Sequence, residues 1–254
     1  VRFHATLWPA MLMALGLPLP RQIYAHGWWV GAGGRKEGKR TGGLPHPLEL
    51  ADEFARRSGA SSQLAVDAVR YLLLREMVFH GDSEFSEENF VRRYNADLAN
   101  DLGNLCNRTV AMVGRYFDGM TPAVALEPEI GEVAASCVAD YEDAVREFRF
   151  NAALEAAFKL VSRVNRYIVE KAPWELAKQE RRSELACVLA TCMEAIRVTS
   201  VLLAPAMPTA SAALREQIGL GDDAGACRWS EETVWNVRPD ERRVQSPRPL
   251  FPRI

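Results

Sequence analysis

From residue 48 onward, apolar positions recur at the three- and four-residue spacing of amphipathic helices. The pattern predicts helices over 48–57 and 64–77, a long one opened by Ser86, and others over 128–148, 151–170, 181–203 and 209–218. Ser86 is a good cap, because its hydroxyl can accept from an unpaired N–H of the first turn. Glu87 and Glu88 add charges that suit the positive helix start. Phe90, Leu98, Leu102, Leu105 and Val113 form the core stripe of this helix. Asp118-Gly119 and Thr121-Pro122 end it, and Pro173, Pro205 and Pro208 mark later boundaries. Before residue 48 the pattern differs. Residues 3–15 predict a helix kinked or started at Pro9, and 22–30 predict one strand built on Ile23, Tyr24, Trp28, Trp29 and Val30. Residues 31–47 form a glycine-rich loop that carries Arg35, Lys36, Lys39 and Arg40. A lone strand leaves backbone groups unpaired on both sides, so its partners are expected from chain preceding Val1. The tail after about 220 reads as polar and irregular. The fold class is therefore mainly α, a helical bundle preceded by an incomplete α/β remnant.

Composition narrows the picture. Among 254 residues, 48% are hydrophobic and 25% charged, which fits an ordinary globular protein and opposes disorder. The net charge of −2 provides no global basic field, so any nucleic-acid site must be a local patch. The five cysteines are dispersed along the chain, which implies a reducing compartment and no metal site. Residues 7–19 are apolar and follow Arg2, the outline of a secretory signal, but Pro9, Pro18 and Pro20 interrupt the run. No uninterrupted apolar run reaches the roughly 20 residues of a membrane span, so no membrane partner is expected.

Some residues invite chemical readings from position alone. Asn104 and Arg108 lie one helical turn apart and share a face, where their amide and guanidinium suit an unpaired base edge, or a solvated helix surface equally well. Trp174 follows Pro173 at a helix start and is either a stacking platform for a base or core packing. Lys36 and Lys39 would be mobile cations near phosphate, or simply solvated. His4 sits among apolar residues, where a structural role is the usual one.

Several stretches together resemble the methionyl-tRNA synthetases. Phe3-His4 with Trp8-Pro9-Ala10-Met11-Leu12 resembles a segment lining the methionine and adenylate site. Residues 22–29 resemble the last strand of the catalytic nucleotide fold, and 67–75 the helix beyond it. Residues 95–105 with Asn107-Arg108, then Asn165-Arg166-Tyr167-Ile168, Ala172-Pro173-Trp174 and residues 202–208, resemble the anticodon-binding domain. Leu250-Phe251-Pro252-Arg253-Ile254 is similar to the common end of the core enzyme. These stretches follow the family's order along nearly the whole chain.

The resemblance implies a domain order. Residues 1–47 would end a Rossmann-like catalytic domain with a degenerate KMSKS-type loop, and 48–85 would be connecting helices that contact the tRNA stem. Residues 86–220 would form the anticodon-binding bundle, and 221–254 a tail. It implies that Asn104, Arg108 and Trp174 read the anticodon of methionine tRNA. Lys36 and Lys39 would assist adenylate formation, and His4 would line the methionine pocket. The complete enzyme would use methionine and ATP with Mg2+, in the cytoplasm or alternatively an organellar matrix, and this chain would bind no metal. Four departures stand out. The family's HIGH motif is absent, only the two lysines of the KMSKS loop match, His46 stands where the family has Asp, and extra residues rich in Ser, Ala and Gly lie between Phe54 and Asp67. The expected behaviour is tRNA binding without aminoacylation by this chain alone. A standalone tRNA-binding module and an all-α interaction domain are the competing readings.

Overall fold

The structure is a computed structural model that describes residues 1–34, 44–79, 81–221, 228–235 and 241–254. A π-helical turn, Phe3–Leu7, leads into α1, Trp8–Ala14, with Pro9 in its first turn as expected. Neither segment buries a residue. The expected strand over 22–30 shortens to β1, Trp29–Val30. It is not alone, because it pairs in parallel with β2, Ser83–Glu84. Ser83 N–H donates to the Trp28 carbonyl and Phe85 N–H to that of Val30, both at 2.8 Å. The expectation that partners must come from outside this chain is therefore corrected on one edge. Ser83-Glu84 carries no β-forming side chain, so pattern could not reveal it. Close approach permits the pairing: a Cβ on Gly27 would meet the Gly81 carbonyl oxygen at 1.8 Å.

Helices dominate from there. α2, Pro47–Ser58, begins in a capping box in which His46 replaces the family's Asp. The His46 ring accepts from Leu48 N–H at 3.3 Å, and Glu49 accepts from His46 N–H at 3.4 Å. Gly59, at φ 72°, ends α2, and Ser61 caps α3, Ser62–Glu76. The extra residues between Phe54 and Asp67 thus make the turn of a packed helical hairpin.

Ser86 caps the next helix by accepting from Asn89 N–H at 3.2 Å. That helix runs without a break through α4, Glu87–Arg93, a π-helical stretch, Tyr94–Gly103, and α5, Asn104–Tyr116. Then come α6, Pro128–Arg146; α7, Phe150–Lys171; α8, Pro173–Lys178; α9, Arg182–Leu203; and α10, Pro208–Gln217. Proline opens α6, α8 and α10, where its missing N–H costs nothing.

Helices α5, α6, α7 and α9 pack against one another around a continuous apolar core. From Leu185 to Leu203, α9 is buried at almost every position. By length and composition it could cross a membrane, yet 94% of its most apolar window is buried inside the protein, which makes it the central core helix. α3 joins the bundle through polar contacts at the α9–α10 corner. Buried Asp67 accepts from Ala210 N–H at 2.8 Å, and Arg70 donates to the carbonyls of Ala206 at 2.8 Å and Pro205 at 2.9 Å.

The described parts of the tail pack onto the bundle. Helix α11, Trp229–Glu232, brings Glu232 to Arg197 and Arg215, both at 3.3 Å. Arg197 is fully buried; it also holds Glu194 at 2.8 Å and donates to the Val234 carbonyl at 2.6 Å. Farther on, Val244, Leu250 and Phe251 enter the core. A buried arginine on α9 thus tethers the segment around α11 alongside the packing of Trp229 and Trp235 against the core.

Candidate nucleic-acid interface

The π-helical stretch sets up the site. A π turn widens the helix, and such turns recur where function needs a displaced side chain. Its end favours glycine: a Cβ on Gly103 would lie a tight 3.0 Å from the Leu98 carbonyl oxygen. Asn104 follows at once and is exposed, and Arg108 stands one turn farther along α5, half-buried. Asn100 and Asp101 come from the π stretch itself.

α7 forms the opposite wall. It is fastened by Asn165, which donates to the Asp101 carbonyl at 3.1 Å, and by Ser162, whose hydroxyl donates to the Asp101 carboxylate at 3.3 Å. Burial holds the Asp101 carboxyl above the usual range; the Ser162 bond opposes this and the nearby Asp97 charge adds to it. Between the walls lies an open groove of about 540 Å³, bordered by Asn100, Asp101, Asn104 and Arg108 on one side and by Asn165, Arg166, Val169 and Glu170 on the other. Donors and acceptors from both walls border it together with the apolar surface of Val169, a mixture that suits the edges and faces of unpaired bases.

Trp174 reaches this region through a local reversal. α7 ends at Ala172, which takes the left-handed conformation at φ 44°, and Pro173 restarts the chain as α8. The turn directs the indole back toward α5, where the Arg108 guanidinium carbon lies 5.9 Å from the ring centroid. Trp174 packs partly against the core and remains partly exposed. Asn104, Arg108 and Trp174 thus form one neighbourhood, with Arg108 as the link.

The other sequence candidates lie elsewhere. His4 is exposed on the N-terminal helical turn, edge-on to Trp8 at 6.3 Å, so no enclosed methionine pocket surrounds it. Lys36 and Lys39 lie outside the described residues. Among the described residues no group of three or more His, Cys, Asp or Glu side chains is arranged to hold a metal. Asn100, Asn165 and Arg166 were not singled out from the sequence as site residues. Asn100 had a signal, since it precedes Asn104 by one turn on the same face. Asn165 and Arg166 had none beyond their place in a family-like stretch, because only tertiary packing brings α7 to α5.

Comparison with known proteins matches this architecture. A family profile described as tRNA synthetases class I (M) matches residues 1–110, and one described as the anticodon binding domain of methionyl tRNA ligase matches residues 122–254. The chain belongs to the methionyl-tRNA synthetase family. Members of that family are similar to it over its whole length. The methionine–tRNA ligase of Halalkalibacterium halodurans is 42% identical over 260 residues, which are 100% of this chain and 37% of that protein. That of Caldanaerobacter subterraneus is also 42% identical, over 100% of this chain and 38% of that protein. Among solved structures, Mycobacterium tuberculosis methionyl-tRNA synthetase bound by methionyl-adenylate matches with a TM-score of 0.81 and 30% identity, covering 99% of this chain and 48% of that one. Its apo form matches with a TM-score of 0.78 and 29% identity, covering 100% of this chain and 48% of that one. The chain thus spans well under half the length of the curated synthetases it matches, and the groove between α5 and α7 lies across the two profile matches.

Proposed function

We propose that this chain is the tRNA-binding part of a methionine–tRNA ligase. In this reading it grips the anticodon loop of methionine tRNA in the α5–α7 groove. Asn104 and Arg108 bond base edges, and Trp174 stacks on a splayed base. The observation that carries the reading is the approach of Arg108 to the Trp174 indole beside Asn104. A planar cation and an aromatic face sit near the exposed amide of Asn104, which is the chemistry that unstacked bases need.

The rest of the reaction belongs to the complete protein. There, methionine would be activated with ATP, Mg2+ assisting, and passed to tRNA, consistent with the methionyl-adenylate held by the Mycobacterium tuberculosis enzyme. Lys36 and Lys39 would act on phosphates, and His4 would line the methionine pocket once the remaining catalytic fold encloses it. Residues 1–47 would close that catalytic domain, 48–85 connect it, 86–220 form the anticodon bundle and 221–254 secure its base. A cytoplasmic location goes with service to protein synthesis.

Titration of the chain with anticodon stem-loops tests the binding half. Tighter binding of the methionine anticodon loop than of one with an altered anticodon is expected; equal or undetectable binding overturns it. Methionine-dependent ATP–pyrophosphate exchange tests the other half. The chain alone should give none, because His4 and Trp8 are exposed and cannot orient reactants.

A further inference from the structure

The groove contains two arginines, and they are held very differently. Arg108 is half-buried against Trp174. Arg166 is exposed on α7 and makes no hydrogen bond or ion pair among the described residues. Its surroundings explain this. The carboxylate best placed to neutralise it is Glu170, one helical turn on. Glu170 is instead engaged by Arg163 at 3.0 Å, and Arg163 also holds Glu129 at 2.7 Å. The other groove carboxylate, Asp101, accepts from Ser162. Arg166 therefore has no carboxylate bonded to its guanidinium and stands with its donors unpaired at the rim of the groove. Beside it, Val169 is 62% exposed and offers an apolar surface with no charge of its own.

We infer that Arg166 binds a backbone phosphate of the RNA seated in the groove, an assignment that rests on the anticodon-loop reading above. Base-edge readers need a fixed plane, because discrimination comes from the angle of two parallel bonds. Arg108 has such a plane against the indole. Arg166 has none, and a long, unclamped cation recognises a phosphate oxygen, which tolerates many approach angles. The groove then divides its labour: Asn104, Arg108 and Trp174 face bases, and Arg166 fixes the strand that carries them.

The test uses the full chain, the stem-loop with the methionine anticodon and a second stem-loop with a changed anticodon, each titrated across a series of salt concentrations. Arg166→Gln should weaken both RNAs by a similar factor. It should also reduce the slope of log affinity against log salt by about 0.7–1, the signature of one lost phosphate contact. Arg166→Lys should retain most of the slope, since a point charge suffices. Melting temperatures of both variants should equal the wild type's, because the side chain is exposed. Unchanged affinity and slope in Arg166→Gln overturn the assignment. So does a loss confined to the matched stem-loop, which would make Arg166 a base reader. Wild-type protein that binds neither stem-loop overturns the RNA reading itself, and this assignment with it.

Discussion

The guanidinium of Arg108 lies over the indole of Trp174, 5.9 Å from its centroid, although the two residues belong to different helices. Trp174→Ala should therefore do two separable things. Loss of the stacking platform should weaken binding to the methionine anticodon stem-loop by about 1–3 kcal/mol, while binding to a mismatched stem-loop, largely electrostatic, should change little. Loss of packing should cost less than the about 3–5 kcal/mol of a fully buried aromatic, because Trp174 is only half-buried. A cycle with Arg108→Ala should give a coupling of about 0.5–2 kcal/mol in RNA affinity. Additive effects would mean that the contact does not organise the site.

The buried ionic cluster at the base of the bundle makes a stability prediction. Arg197 is fully buried and holds Glu194, Glu232 and the Val234 carbonyl together. Replacing it with Leu removes the guanidinium both carboxylates face, and should destabilise the fold by about 3–5 kcal/mol. The tail around Trp229 should also detach, which its fluorescence would report. Little change in melting temperature would show that the cluster is dispensable.

Much of this architecture could be read from particular residues. Ser86 and Pro173 announced helix starts, and Pro205 and Pro208 a boundary, because capping and φ restriction are local. Residues that act at a distance left no trace. Nothing in the sequence around Arg197 marks it as the partner of Glu232, which arrives from α11. The π stretch preserved the apolar spacing of an α-helix and was invisible. Asn104, Arg108 and Trp174 were legible through family-like motifs. Their neighbourhood with Asn165 and Arg166 was not, since only the turn at Ala172 and the packing of α7 create it.

Phe148 connects the N-terminal segment to the bundle. It sits in the left-handed region at φ 59°, at the end of α6, where glycine is cheapest, and its ring stacks on Tyr24 at 3.8 Å and on Phe79 at 6.0 Å. Phe148→Gly relieves about 1 kcal/mol of backbone strain and loses three aromatic contacts, with Tyr24, Phe79 and Phe150, worth about 0.5–1.5 kcal/mol each. The net effect should be loosening of the N-terminal segment. Amide exchange should rise across residues 22–30 and stay unchanged in α6. Uniform slowing of exchange would mean that the ring serves only as a helix end.

Thiol chemistry checks the core directly. Cys106 and Cys192 are buried, and burial pushes the Cys106 thiol up to about 12 and the Cys192 thiol higher still. The thiolate is the reacting form, so at pH 8 both should resist alkylation in the native protein and react on denaturation. Rapid native labelling of either would place a gap in the core around α5 and α9.

Asp67 yields a pH dependence with a definite sign. It is 2% exposed, and burial raises its pKa above 3.8, against the opposing bonds from Ala210 and Thr209 and the charge of Arg70. The folded protein therefore holds the Asp67 proton more tightly than the unfolded chain does. Its contribution to stability is full below the unfolded pKa and declines as pH rises through the window from about 3.8 up to the folded value. Asp67→Asn removes this titration while an amide oxygen can still accept from Ala210 N–H at the start of α10. The stability of wild type relative to Asp67→Asn should thus fall as pH rises past about 3.8 and level off above the folded pKa. Denaturant titrations at closely spaced pH values would measure that difference directly. A difference that rises with pH would mean that the helix start and Arg70 outweigh burial, and that Asp67 is held as a stabilised carboxylate.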